Sequence, residues 1–133
     1  MKKSTVTAIF KADIKKVWEV VTNNNKYEWR SDLSKIDVSV DGNSFTEYTK
    51  DNFPTKFNIT LKKPYERYKF DMTNKNMNGH WIGVFSSVNN NGTQIEFTEG
   101  VSVNNPIMNL FVGLYLKKQQ SLYIADLKKE LGE

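Results

Sequence analysis

The chain has 133 residues, the size of a single domain that can bury a hydrophobic core without covalent cross-links. It contains no cysteine and one histidine, which excludes disulfides, thiolate nucleophiles and cysteine-ligated metals, so we expect no metal site and no cofactor. The net charge of +4 comes from scattered lysines, so we expect no nucleic-acid partner. Without a signal-peptide core or an apolar run of membrane-spanning length, we expect a cytoplasmic protein with no stable membrane insertion.

The first predicted elements are a strand and two short helices. Residues 4–11 alternate between apolar and polar side chains, which is the period of a strand. Asp13 is a suitable helix N-cap, and apolar residues recur behind it at helical spacing: Ile14, Val17, Trp18 and Val21. A second short helical turn over residues 26–31 would return the chain to the sheet.

Six further strands are predicted between residue 36 and residue 103. Each shows alternating apolar positions, and turn sequences separate several of them: Asp41-Gly42, Lys63-Pro64, Asn78-Gly79 and Asn91-Gly92. Short turns join antiparallel neighbours, so this region should form a meander. With the first strand, the sequence predicts a seven-stranded antiparallel sheet.

The C-terminal segment predicts one long helix over residues 106–131. Asn105 and Pro106 suit its start, and Gly132 suits its end. The stripe expected to face the sheet is Ile107, Leu110, Phe111, Leu114, Ser121, Leu122 and Ala125. Residues 106–116 are apolar on nearly every side, so an apolar patch should remain outside as a homodimer contact, a membrane-docking surface or a face covered by loops.

These elements predict an α+β architecture with an internal hollow. One apolar sheet face must be covered, and a single helix of roughly 10 Å diameter is narrower than seven strands. The sheet must therefore curl around the helix, and we expect an apolar cavity between them.

The sequence also resembles a known superfamily. The stretch VWEVVTNNNKYEWRSDLSKIDV, together with NGTQIEFTEG and the C-terminal helix, is similar to START-like (SRPBCC) proteins, which share the birch pollen allergen-like fold. Within that superfamily it looks like the small bacterial polyketide cyclase/dehydratase-like or lipid-transport-like proteins. The resemblance covers the whole chain and implies one ligand-binding domain over residues 1–133 with a helix-grip fold. It implies no particular reaction.

Two acids are candidates for the cavity wall. Glu99 shares a strand face with Ile95, Phe97 and Val101, so it should point inward as a polar anchor or as a general acid whose pKa is raised by desolvation. A bulge at Gly100 would instead turn it outward. Glu47 could be a second inward acid, but we expect it to be exposed to solvent because glutamates are seldom buried without a partner.

His80 is the other weak catalytic candidate, because it is the sole imidazole. It faces outward if Trp81, Gly83 and Phe85 face inward. The resemblance places Trp29 and Arg30 at the pocket mouth, where Arg30 could meet a carboxylate or phosphate and Trp29 could equally pack in the core.

The function we expect is binding or transport of a small hydrophobic ligand such as a lipid, a quinone or a polyketide-like compound. The predicted ligand-binding residues are Trp29, Arg30, Phe57, Phe70, Trp81, Phe97, Glu99, Phe111 and Tyr115. One alternative is a cyclase/dehydratase-like enzyme in which Glu99 or His80 transfers protons. Another is a protein-interaction domain with a filled core.

Overall fold

The structure is a computed structural model that describes residues 1–133. Seven strands form one sheet: β1 Lys2–Phe10, β2 Leu33–Val38, β3 Ser44–Thr49, β4 Pro54–Lys63, β5 Arg67–Thr73, β6 Met77–Val88 and β7 Gly92–Val103. There are three α-helices: α1 Ile14–Thr22, α2 Pro106–Asn109 and α3 Val112–Glu130. A short 3-10 turn, Asn89–Asn91, joins β6 to β7.

The sheet is antiparallel throughout and has the strand order β1-β7-β6-β5-β4-β3-β2. It is curved and does not close, because β1 and β2 remain at its two edges. The meander from β2 to β7 follows from the alternating segments and short turns of the sequence, whereas β1 pairs with β7 from the other end of the chain. The predicted α+β helix-grip fold is therefore confirmed.

Between β1 and β2 the structure has one helix. As predicted, the side chain of Asp13 caps α1 by accepting from the backbone N–H of Lys16 at 2.9 Å. The second predicted helix, over residues 26–31, is wrong, because this segment forms turns. The backbone N–H of Ser31 donates to the Asp126 carboxylate at 2.8 Å, so tertiary contacts replace the helical ladder there.

The turn predicted at Asn78-Gly79 is also wrong. The chain reverses at residues 74–76, where the Asn74 side chain accepts from the backbone N–H groups of Asn76 and Met77. Gly79 lies inside β6, where a Cβ would collide with the carbonyl oxygen of Gly100 on β7. This glycine serves close strand pairing, not a turn.

The predicted C-terminal helix is broken in two. Asn105 caps α2 as expected, accepting from the backbone N–H of Ile107 at 2.8 Å. Leu110 and Phe111 then bond to carbonyls three residues back and separate α2 from α3. The break lets α2 pack against β7 while α3 packs mainly against β1.

The face of α3 that packs on the sheet differs from the predicted stripe. Its buried residues are Val112, Leu116, Gln120 and Leu127, whereas Leu110 is 78% exposed and Leu114 is 73% exposed. The reason is Gln120, which breaks the hydrophobic pattern but is fully paired with Ser4 of β1. The Ser4 hydroxyl donates to the Gln120 amide oxygen, and the amide nitrogen donates to the Ser4 carbonyl, both at 2.8 Å.

The placement of α3 over one edge of the sheet positions the site. Because α3 packs mainly against β1 and against β7, its contacts leave much of the concave face of β3, β4 and β5 free of helix. None of the helices combines the length and the apolar composition of a membrane span.

Candidate functional site

A cavity of about 390 Å³ lies between the concave face of the sheet, α1 and α3. Its volume falls within the range of ligand-binding sites in proteins. Alternate positions on β3 to β7 point into it, and most of the apolar part of its wall is aromatic: Phe45, Phe57, Tyr68, Phe70, Trp81 and Phe97 from the sheet, with Tyr115 and Tyr123 from α3. The filled core required by the interaction-domain alternative is not present.

Cross-strand stacking fixes this aromatic wall. Phe70 and Trp81 are register partners on β5 and β6, and their rings stack with centroids 5.0 Å apart. Phe45 and Phe57, partners on β3 and β4, stack at 4.8 Å. Such pairs stabilise each other beyond the area that they bury, so the wall is formed before any ligand arrives.

One end of the cavity carries a charged cluster around Arg30. The guanidinium contacts Asp32 at 3.2 Å and Glu47 at 3.3 Å. It also lies over the ring of Tyr123, 5.1 Å from the centroid. Burial lowers the pKa of Arg30, but attraction by Glu47 and Asp32 outweighs burial and raises it overall. The protein's own carboxylates therefore already satisfy this cation.

Glu47 faces the cavity and pairs with Arg30, so the solvent exposure expected from the sequence is wrong. It lies on β3 beside the register partner Thr55, and both line the cavity. Burial raises the pKa of Glu47, and the Arg30 guanidinium offsets part of that effect.

Glu99 also points into the cavity, as predicted. The pairing of β7 with β1 and with β6 continues without a shift through Gly100, so no bulge turns the side chain outward. No side chain or backbone group of the protein hydrogen bonds to this carboxylate, and it forms no ion pair. Burial, with repulsion from Glu47, raises the pKa of Glu99 to about 7, although Arg30 opposes the shift.

The structure brings most of the predicted residues together. The cavity wall includes Arg30, Phe57, Phe70, Trp81, Phe97, Glu99 and Tyr115. Trp29 lies outside it, with its ring 5.4 Å from that of Tyr123. Phe111 is 60% exposed because it lies at the break between α2 and α3.

His80 does not reach the cavity. Trp81, Gly83 and Phe85 are the buried residues of β6, so His80 projects from the opposite face, beside Gly100. The strand alternation alone accounts for this position. His80 is therefore not placed to act on a molecule in this cavity, whereas Glu99 lines it.

The predicted set lacked several residues of the cavity wall, among them Phe45 and Tyr68 of the sheet, and also Asp32 and Tyr123. Tyr123 follows Gln120 by one helical turn, so identification of the true buried stripe of α3 would have revealed it. Asp32 follows Arg30 by two residues, but nothing in the local pattern indicated that the two pair within the cavity.

The cavity reaches solvent beside the turn between β3 and β4. Lys50 and Asp51 line it there and are exposed, and Tyr115 lines it while remaining 48% exposed. No group of three or more His, Asp or Glu side chains is arranged to hold a metal ion.

A curved antiparallel sheet, a C-terminal helix against it and a cavity between them define the helix-grip class of folds. Solved structures share this fold. A START superfamily protein from Mycobacterium smegmatis aligns over 96% of this chain and 95% of its own, with 12% identity and a TM-score of 0.80. The Zhui aromatase/cyclase from Streptomyces sp. R1128 aligns over 97% of this chain and 92% of its own, with 9% identity and a TM-score of 0.85.

A conserved protein from Geobacillus kaustophilus aligns over 98% of this chain and 95% of its own, with 13% identity and a TM-score of 0.85. No protein-family model matches the sequence, and no curated protein is significantly similar to it. At these identities the likeness shows the fold, and the resemblance to START-like proteins is confirmed at that level.

Proposed function

We propose that this protein binds a small, largely hydrophobic molecule in the cavity between the sheet and α3. The observation that carries the proposal is a preformed cavity of about 390 Å³ with an aromatic wall. A lipid, a quinone or a polyketide-like compound would suit such a wall. The fold shared with a START superfamily protein and with an aromatase/cyclase supports this choice.

The aromatic wall supplies enough apolar contact for a ligand to bind. A molecule that buries roughly 200 Å² of apolar surface gains about 5 kcal/mol before the entropy of association is subtracted. A pre-stacked wall reduces the entropy lost on binding, because Phe70 and Trp81 are already held in place by stacking on each other. We therefore expect the aromatic side chains to provide most of the affinity and the polar side chains of the wall to determine which ligands bind.

Native mass spectrometry of the protein as purified tests this proposal. The wild-type protein should carry an additional small-molecule mass that gentle activation removes. Met77→Trp places a larger side chain in the cavity wall and should lose that mass. Ile9→Trp is the matched control, because Ile9 is exposed on β1 and outside the cavity, and it should retain the mass.

A thermal-stability panel of apolar compounds provides the second readout. A ligand at 100 times its Kd should stabilise the protein by about 2.7 kcal/mol. Wild type and Ile9→Trp should respond to the same compounds, and Met77→Trp should not. Absence of both a co-purified mass and any stabilising compound, with all three proteins folded, would rule out the binding function.

One observation favours a second candidate, a cyclase/dehydratase-like enzyme. Glu99 is an unpaired carboxyl group in the cavity with a pKa of about 7, which suits a general acid or base near neutral pH. An enzyme should lose turnover in Glu99→Gln while it still binds a neutral ligand. A carrier has no turnover to lose, so conversion of bound ligand by the wild-type protein distinguishes the two.

A further inference from the structure

The polar groups of the cavity are unequally satisfied. Arg30, its buried cation, already contacts Asp32 and Glu47. Glu99 has no partner in the protein, although its side chain faces the space that a ligand would fill. Glu99 is half-buried and its carboxyl oxygens reach the cavity space, so a ligand that lies against it without a donor would remove its remaining solvation, whereas a ligand that supplies a donor satisfies it.

The cavity wall also carries more acidic than basic side chains. One guanidinium, from Arg30, faces the carboxyl groups of Asp32, Glu47 and Glu99. At the rim, Lys50 and Asp51 offset each other. The wall therefore offers a negative ligand no free positive charge in its interior.

We propose that the polar group of the ligand is a hydrogen-bond donor without negative charge, a hydroxyl or an amine, and that it donates to Glu99. This inference rests on the proposed binding function and narrows its ligand class. Trp81 is the register partner of Glu99, and Phe97 lies two residues before it on the same strand face. A donor attached to a flat apolar body can reach Glu99 while that body lies against these rings.

The same geometry disfavours carboxylate ligands in the interior of the cavity. A ligand carboxylate would have to leave water and lie near Glu99 and Glu47. To gain a cation it would have to displace Asp32 or Glu47 from Arg30, which would leave a buried carboxylate without its partner. Fatty acids and other acids should therefore bind worse than alcohols or amines of the same size.

Calorimetric titration with four matched probes tests the proposal. Naphthylethanol, naphthylethylamine and naphthylacetate share one ring system, and ethylnaphthalene supplies that ring system without a polar group. At slightly alkaline pH, we expect the alcohol and the amine to bind at least about tenfold more tightly than the acetate. Acetate binding within about threefold of the alcohol would overturn the proposal.

Variants of Glu99 test whether this residue causes the preference for donors, and they distinguish the alcohol from the amine. Glu99→Gln keeps a neutral acceptor, so it should weaken the amine about tenfold and leave the alcohol within about threefold. Glu99→Leu removes the acceptor and should weaken both donors. The control is Glu96→Gln on the same strand, which is exposed on the opposite face and should change nothing.

Ethylnaphthalene separates failure of this inference from failure of the proposed function. If it binds the wild type and both Glu99 variants, the variants are folded and the cavity accepts apolar ligands. Equal affinities for all probes across wild type and variants would then refute only the role of Glu99. If neither ethylnaphthalene nor any polar probe binds the folded wild-type protein, both the inference and the binding function are wrong.

Discussion

The unpaired carboxyl group of Glu99 should make the stability of the protein depend on pH in a way that one substitution abolishes. Its pKa is about 7 in the folded protein, against an ordinary value of 4.5. The unfolded chain therefore releases a proton that the folded chain keeps at intermediate pH. Stability should then fall as pH rises through this window, because a raised pKa in the folded state favours the protonated form.

The magnitude follows from the difference between the two pKa values. Within the window each pH unit changes the free energy of unfolding by about 1.4 kcal/mol. The shift from 4.5 to about 7 therefore corresponds to a loss of about 3 kcal/mol between mildly acidic and mildly alkaline pH. Below the window the contribution of Glu99 is fully present, and above it the contribution is lost.

Urea unfolding of wild type, Glu99→Gln and Glu96→Gln across this pH range measures the effect. The glutamine at position 99 cannot ionise. The free energy of unfolding of Glu99→Gln should therefore increase by about 3 kcal/mol relative to that of the wild type as pH rises. The free energy of unfolding of Glu96→Gln should follow that of the wild type at every pH, because Glu96 is exposed. The chain has no cysteine, so thiol oxidation does not disturb the comparison.

Parallel curves for wild type and Glu99→Gln would refute the reasoning. They would mean that Glu99 is solvated in the folded protein or finds a partner there. Stability of the wild type that rose with pH relative to Glu99→Gln would contradict even the sign of the shift.

Three further outcomes are expected. Arg30→Met leaves Asp32 and Glu47 without their cation and should lower the free energy of urea unfolding by roughly 3 kcal/mol, and adding Glu47→Gln should recover part of that loss. Gln120→Ala removes both bonds to Ser4 and should destabilise the protein by about 1–3 kcal/mol in the same assay. The exposed pair Leu110→Ser and Phe111→Ser should change stability by less than about 0.5 kcal/mol, and sedimentation velocity of this double variant beside the wild type tests the homodimer contact, because a dimer formed through this patch should become a monomer.

The sheet could be predicted from sequence because its signals are local. Alternation along β7 placed Phe97 and Glu99 on one face. Along β6 it put His80 on the face opposite Trp81, Gly83 and Phe85, but which of these two faces is buried was left open. A period of two residues needs no knowledge of the rest of the fold.

The helix face could not be predicted in the same way. The packed stripe of α3 includes Gln120, whose burial depends on Ser4 at the other end of the chain. Hydrophobicity alone therefore favoured the face with Leu110 and Leu114, which is exposed. A polar side chain satisfied by a distant partner is invisible to periodicity.

The charged cluster shows the same limit at the candidate site. Arg30 was predicted as an anchor for a ligand anion, yet it is engaged by Glu47 from β3, which lies 17 residues away in sequence. The unpaired state of Glu99 is likewise a property of the assembled cavity. Sequence could nominate these side chains, but only the fold shows which of them has no partner left.

A crystal structure of the protein with naphthylethanol tests the occupied cavity most directly. We expect the ring system against Trp81 and Phe97, with the hydroxyl oxygen within about 3 Å of a Glu99 carboxyl oxygen. A cavity that holds only water, or a ligand bound on the exposed face of α2 and α3 instead, would contradict both the binding site and the role of Glu99.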